Sequence, residues 1–330
     1  MGLAPLGSRT HRAFRPCLSS LSLIALMGLG GAAPSGQAAG EPPLADILAR
    51  AGSYVHQLEQ DFAFVICDED YRQDDHPRPT LSGRVSFGRN MGGMSTEVPR
   101  TEPILRETRA EMLFVRGGPG ATWLAVRNVI TVRDDHSTFI DTVSGSKDRI
   151  DRALRDASPG QASRLRVLAN EGARFNLGHI YRNFNTPTLA LQFLAPEYQP
   201  RFTFRIAGRE KVAGSQTVKL AFTERGSPTV IALNDKSPLL SSGLLWVRES
   251  DGAVLRTRLR IEAPQTADGS GLAATISVDY RRDQKLEMWL PSYMEEKYAE
   301  RRQPGERIDC WATYSNFRRF ETSGRIVVPQ

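Results

Sequence analysis

The sequence predicts an α+β chain: one large curved antiparallel sheet, with an N-terminal helix and a central helical insertion covering one face. Three observations predict it. Apolar residues recur at helical spacing just beyond residue 43. They alternate with polar residues at a period of two from residue 200 onward. Nowhere do they fall into the strand–helix–strand rhythm of a parallel sheet.

The helix comes first. Leu44, Ile47, Leu48, Ala51, Tyr54, Val55 and Leu58 form one stripe, Asp46, Arg50, Gln57 and Gln60 face the other way, and Pro42-Pro43 suits a helix start. Strands are predicted over 62–73, 81–89, 104–116 and 121–132, with Gly117-Gly118-Pro119-Gly120 as the turn between the last two. Asp134-Asp135-His136-Ser137 reads as a further turn, leading to Phe139-Ile140.

The helical insertion spans about 146–195. Residues 147–156 are charged. Ser158-Pro159-Gly160-Gln161 has the form of a capping box, Leu165, Leu168, Ala169 and Phe175 form a stripe, and Gly178 can end the helix. Thr186-Pro187 starts a short helix over 188–194, stopped by Pro196.

Beyond it, Phe202, Phe204 and Ile206 alternate with polar neighbours, as do Val218, Leu220 and Phe222, then Leu255, Thr257, Leu259 and Ile261, then Ala274, Ile276, Val278 and Tyr280. That period gives strands with one dry and one wet face. Asp251-Gly252 predicts a hairpin between 244–249 and 253–263, and 286–291 with 308–321 close the chain as a strand pair.

The first residues belong to another class. Arg9, His11, Arg12 and Arg15 precede an apolar run from Leu18 to Ala33, and small residues follow at Gly36-Gln37-Ala38-Ala39. This is the pattern of a secretory signal, so residues 1–38 are expected to be removed and 39–330 to form one domain, periplasmic or secreted. The run is too short and its end too Gly-rich for a good membrane span. Cys17 lies ahead of the run, where a lipoprotein signal has no use for it. Gly28-Leu29-Gly30-Gly31 has no strand before it and is no dinucleotide fingerprint.

Three arginines and no acid lie in the signal, so the net charge falls from +6 to about +3. A mildly basic chain without Lys/Arg blocks gives no reason to expect a nucleic-acid partner. Two cysteines remain, Cys67 and Cys310, and an oxidising compartment allows one bridge between them. A Cys67–Cys310 disulfide is the expectation, and two buried free thiols are the alternative.

The chain shows no H-E-x-x-H, G-x-S-x-G, P-loop or zinc-type spacing, and no enzyme activity, cofactor or metal is expected. Asp74-Asp75-His76 and Asp134-Asp135-His136 offer metal-ligand types, but adjacent side chains splay apart and Asp-rich tripeptides form turns. Asp68 and Asp70 should share one strand face and Glu69 the other, as a solvated strand end. His179 fits a helix C-terminus, and Arg256, Arg258 and Arg260 a wet sheet face.

The C-terminal half carries a resemblance. Leu245-Trp246-Val247 before a Gly-turned hairpin, Met288-Trp289-Leu290-Pro291 with Tyr293-Met294, and the run from Ala312 through Tyr314, Asn316 and Phe317 to Phe320 resemble the outer-membrane lipoprotein-sorting (LolA/LolB-like) superfamily, most closely its uncharacterised secreted bacterial members. The resemblance implies an unclosed β-barrel whose concave apolar face is covered by helices and holds acyl chains. No functional residue of that family is carried over.

The expected function is therefore a binding or carrier protein for a lipidic or acyl-chain ligand, with Phe202, Phe204, Val218, Leu220, Phe222, Leu259, Ile276 and Val278 lining the dry face. A lipid or an acylated protein is the expected partner, with transient contact with the inner or outer membrane. The alternative is an envelope scaffold with the same residues as a filled core.

Overall fold

A computed structural model of the chain describes residues 42–62, 65–76, 103–116, 123–135, 140–142, 167, 170, 172–178, 182, 184–232, 237–263, 271–300 and 307–319. The signal segment with Cys17, the strand expected over 81–89, the turn at 117–120, the charged stretch 147–156, the capping box at 158–161, His136 and His179 lie outside the described residues.

Helix α1 covers Leu44–Asp61, directly after Pro43 in extended conformation, and buries Ile47, Ala51, Val55 and Leu58. Twelve strands follow among the described residues: β1 Val65–His76, β2 Ile104–Arg116, β3 Trp123–Asp134, β4 Ile140–Thr142, β5 Phe202–Val212, β6 Ser215–Glu224, β7 Ile231–Ala232, β8 Pro238–Arg248, β9 Val254–Glu262, β10 Leu272–Arg282, β11 Trp289–Glu300 and β12 Arg307–Arg319. They make one antiparallel sheet in the order β4-β3-β2-β1-β12-β11-β10-β9-β8-β6-β5, with β7 pairing β8. β4 and β5 lie at opposite ends of that order, so the sheet is not closed into a barrel.

The predicted bounds of β2 agree with the structure, and the other strands shift by a few residues. The main difference is β11. The sequence predicts a strand over 286–291, whereas β11 runs on to Glu300, because Met294, Glu296 and Tyr298 all point inward. Asp74-Asp75-His76 is likewise the end of β1 rather than a turn: Asp75 is buried, and His76 lies 3.3 Å from Asp74 and 3.7 Å from Asp309.

Alternation gives the sheet two faces. On β5, β6, β8, β9 and β10 the inner face is apolar, with Phe202, Val218, Leu220, Leu245, Leu259 and Ile276 buried. On β11, β12, β1, β2 and β3 the inner face mixes Met112 and Phe114 with Glu69, Gln73, Glu296 and several tyrosines. A 3-10 segment, Leu189–Leu194, is buried throughout and lies against the apolar half, with α1 beside it. Gln199 joins the two covers by donating from Nε2 to the carbonyls of Leu48 (3.0 Å) and Leu194 (2.7 Å).

The strand order corrects the expected disulfide. β1 and β12 are neighbours, so the first and last strands do meet, but Cys310 pairs opposite Gln73. Cys67 lies six residues farther along β1, roughly 20 Å at the rise of a β-strand, and a bridge needs Cα atoms within about 7 Å. Both cysteines are free and buried. Burial raises the Cys67 thiol above its ordinary range and pushes Cys310 up to about 12, so neither is a ready thiolate. Alkylation of unreduced, denatured residues 39–330 should add two labels per chain. No label would restore the bridge.

Candidate functional site

The candidate site is the covered inner face of the sheet. All eight predicted lining residues lie on it. Phe202, Val218, Leu220, Phe222, Leu259, Ile276 and Val278 are buried, and Phe204 packs against them from a half-buried position. The 3-10 segment packs directly on them. Phe193 stacks on Phe202 with ring centroids 4.6 Å apart and meets Phe222 at 5.4 Å. The space between α1 and the segment, lined by Val55, Leu58, Phe62, Thr188, Leu191 and Gln192 among others, is about 10 Å³, too small for an acyl chain.

The plug is apolar at its anchors and mismatched elsewhere. Gln192 is 2 % exposed, and neither its Oε1 nor its Nε2 finds a partner; Thr188 Oγ1 is buried in the same condition. Each such group left without a hydrogen bond costs about 1–3 kcal/mol, so plug docking is weaker than its apolar area suggests.

The polar half of the inner face was not foreseen as a unit. Glu69 is 1 % exposed and accepts two hydrogen bonds from Arg127 on β3, at 2.6 and 3.0 Å. Arg127 also donates to Asn185 Oδ1 (3.1 Å) and to the Asn185 carbonyl (2.9 Å), on the way into the plug. The expected split of the acidic cluster holds, with Asp68 and Asp70 facing outward. Glu69, however, is a buried ion-pair member rather than part of a solvated strand end.

A second arginine, Arg182, is fully buried. Its Nη2 donates to Gln73 Oε1 (2.6 Å) and the Leu177 carbonyl (3.0 Å), its Nη1 to Cys310 Sγ (2.8 Å), and its guanidinium lies 5.1 Å from the Tyr298 ring centre. Gln73 in turn accepts from Leu177 N–H and donates to the Phe175 carbonyl. These bonds satisfy the backbone of an irregular segment that would otherwise be buried with orphan carbonyls. Tyr280 does the same for Pro187, donating from its hydroxyl at 2.6 Å. No local signal in the sequence marks Arg127 or Arg182, because their side-chain partners Glu69, Gln73 and Cys310 come from remote segments.

Glu296 is the least compensated of these groups. Tyr298 and Tyr71 donate to its Oε2, while its Oε1 has no partner. Burial raises its carboxyl above the usual range, against the pull of Arg182 and the Tyr298 hydroxyl. An acid whose folded pKa is raised binds its proton more tightly in the native state. It therefore contributes stability below the ordinary glutamate range and loses it as pH rises through the raised value. Urea midpoints of wild type should fall relative to Glu296→Gln as pH climbs above that range. Parallel curves for the two proteins would contradict this.

Among the described residues no group of three or more His, Cys, Asp or Glu side chains is placed to hold a metal ion, and no helix is long and apolar enough to cross a membrane.

No family model and no curated protein sequence matches the chain. Solved structures do. The chain is similar to an outer membrane lipoprotein-sorting protein domain from Vibrio parahaemolyticus (12% identity, 84% of this chain and 95% of that one, TM-score 0.33). It is similar to a LolA superfamily protein from Nitrosomonas europaea (10% identity, 85% and 95%, TM-score 0.31). A DUF1329 family protein from Desulfovibrio piger is alike to the same degree (10% identity, 85% and 95%, TM-score 0.34).

Proposed function

We propose that this is an exported binding or carrier protein for an acyl chain or similar lipidic group, whose 3-10 segment acts as a plug in the ligand's place. Export is the reading of the N-terminal segment. The observation that carries the binding reading is the plug: a six-residue 3-10 segment, buried on an apolar sheet face, with the Gln192 amide unpartnered at its centre. A segment that only completed a core would be expected to hold an apolar residue there. One that must leave gains from a mismatch. When the plug moves out, Phe202, Val218, Leu220, Phe222 and Leu259 become the floor of a groove, and apolar area worth about 25 cal/mol per Å² awaits a ligand.

The second reading is a scaffold with a filled core, favoured by the Phe193–Phe202 stacking. The two readings differ in probe binding. If ligand and plug compete, Gln192→Leu should raise the urea midpoint and weaken binding of a fluorescent fatty-acid probe, about tenfold for each 1.4 kcal/mol added to plug docking. In a scaffold the same substitution stabilises and no form binds the probe. Leu220→Ala then measures the closed state: loss of roughly 2–5 kcal/mol is expected where the residue is fully packed.

A further inference from the structure

The outer face of the sheet has a chemistry of its own, independent of how the inner face is used. Strand register lines its side chains into rows that cross seven strands, β9 to β3, about 29 Å at the usual strand spacing. One row places Arg258, Glu295, Trp311, Arg72, Glu107 and Arg133 in order. The next places Arg256, Asp279, Tyr293, Thr313, Asp70 and Arg109.

Charge on this face does not cancel. The carboxylates of the two rows are already matched: Glu295 with Lys297 at 3.0 Å, Glu107 with Arg133 at 3.7 Å, Asp70 with Arg109 at 3.3 Å, and Asp279 with Arg256. Exposed arginines are left over. Arg72, Arg258, Arg281 and Arg282 bond to no carboxylate among the described residues. Arg72 lies instead over the Trp311 ring, 5.7 Å from its centre, and Arg258 over that of Trp246 at 6.0 Å. A guanidinium held on an indole is kept in place while its N–H donors stay unspent.

These cations stand in separate shallow depressions. One of about 730 Å³ holds Arg281 and Arg282, one of about 560 Å³ holds Arg72, and one of about 260 Å³ holds Arg258. Hydroxyls of Thr313, Thr131 and Ser277 lie beside them. Arg258 and Arg72 are four strands apart, about 19 Å, so one phosphate cannot reach both. The partner must present several anions across a surface. Duplex nucleic acid carries a charge about every 1.7 Å, a density that these dispersed guanidinia do not match. A lipid surface offers sparser anions. Tyr293, 38% exposed between the depressions, is a ring with a polar tip, which suits the headgroup level of a bilayer.

We infer that the outer face docks on a bilayer containing anionic lipid, with headgroup phosphates entering the depressions to bond Arg72, Arg258 and the Arg281–Arg282 pair. Guanidinium is the fitting donor, since its planar fork meets two phosphate oxygens at once.

The test is flotation of residues 39–330 with vesicles of phosphatidylethanolamine and phosphatidylglycerol, and with vesicles of phosphatidylcholine. The second set offers acyl chains without net charge, so uptake of a chain by the inner face is told apart from docking of the outer face. Binding to the anionic vesicles alone is expected, and it should fall as salt rises. Each arginine near such a surface contributes about fivefold. Arg72→Gln/Arg258→Gln and Arg281→Gln/Arg282→Gln should therefore each weaken binding at least about tenfold and leave fatty-acid probe binding as in wild type. Arg281 and Arg282 are exposed at the end of β10, so their removal should leave the urea midpoint in place, and a folding defect in the first pair does not decide the matter. Asp70→Asn/Arg109→Gln removes a matched pair and should bind as wild type does. Absence of flotation, equal binding to phosphatidylcholine, no loss in Arg281→Gln/Arg282→Gln, or single-stranded DNA bound as tightly as the anionic vesicles would overturn the inference.

Discussion

Arg127→Ala should cost about 3–5 kcal/mol, among the largest losses of any single substitution in the chain. The replacement leaves Glu69, 1 % exposed, without either of its two guanidinium bonds. It also frees Asn185 and its carbonyl, and so loosens the approach to the plug. Urea melts of Arg127→Ala, Glu69→Gln and the pair Glu69→Gln/Arg127→Met give the check. The double variant should recover much of the single's loss, since an uncharged pair leaves no buried ion behind. Equal losses in the single and the double would mean that packing, not the stranded carboxylate, dominates.

Gly243→Ala should prevent the sheet from forming in its native register. Gly243 sits in β8 between Phe222 of β6 and Leu259 of β9, and a Cβ there would lie 1.9 Å from the Arg258 carbonyl oxygen. The obstacle is backbone, held on both sides by paired strands, so relief requires parting β8 from β9. Loss of about 3 kcal/mol or more is expected, seen as insoluble expression or a sharply lowered urea midpoint. Gly214→Ala is the control. Gly214 also has positive φ, at the tip of the β5–β6 hairpin, but nothing lies within 4 Å of its Cβ. There only the backbone term of about 1–3 kcal/mol applies. Similar behaviour of the two variants would refute the steric argument.

Strand periodicity was legible wherever one face is uniformly dry, as from Phe202 to Phe222 and from Leu255 to Tyr280, and the eight lining residues follow from it. It failed where the inner face carries charge. Glu295-Glu296-Lys297 hid the continuation of β11 because an inward glutamate breaks the apolar alternation by which a strand is recognised. Glu69 read as solvated for the same reason: the arginine that neutralises it is 58 residues away. Register was beyond reach altogether. Proximity of the first and last strands could be imagined, but whether Cys310 faces Cys67 or Gln73 depends on which backbone groups pair, and side-chain pattern does not encode that slide. The plug was visible as a short helix over 188–194. Its unpartnered Gln192 becomes meaningful only once the apolar floor beneath it is known.

The place of β12 between β1 and β11 sets an order of events during synthesis. Asp68 and Arg318 are bonded across that junction although 250 residues separate them. A chain made from its N-terminus therefore carries β1 to β4 with the β1 edge open until β12 arrives, with Glu69 and Tyr71 on a face that is not yet sealed. Closing so distant a contact is slow, and open edges in the meantime invite wrong pairings. Under the export proposed above, β1 would meet β12 only after Arg307–Arg319 had followed it across, so that this part of the sheet would form late in the passage.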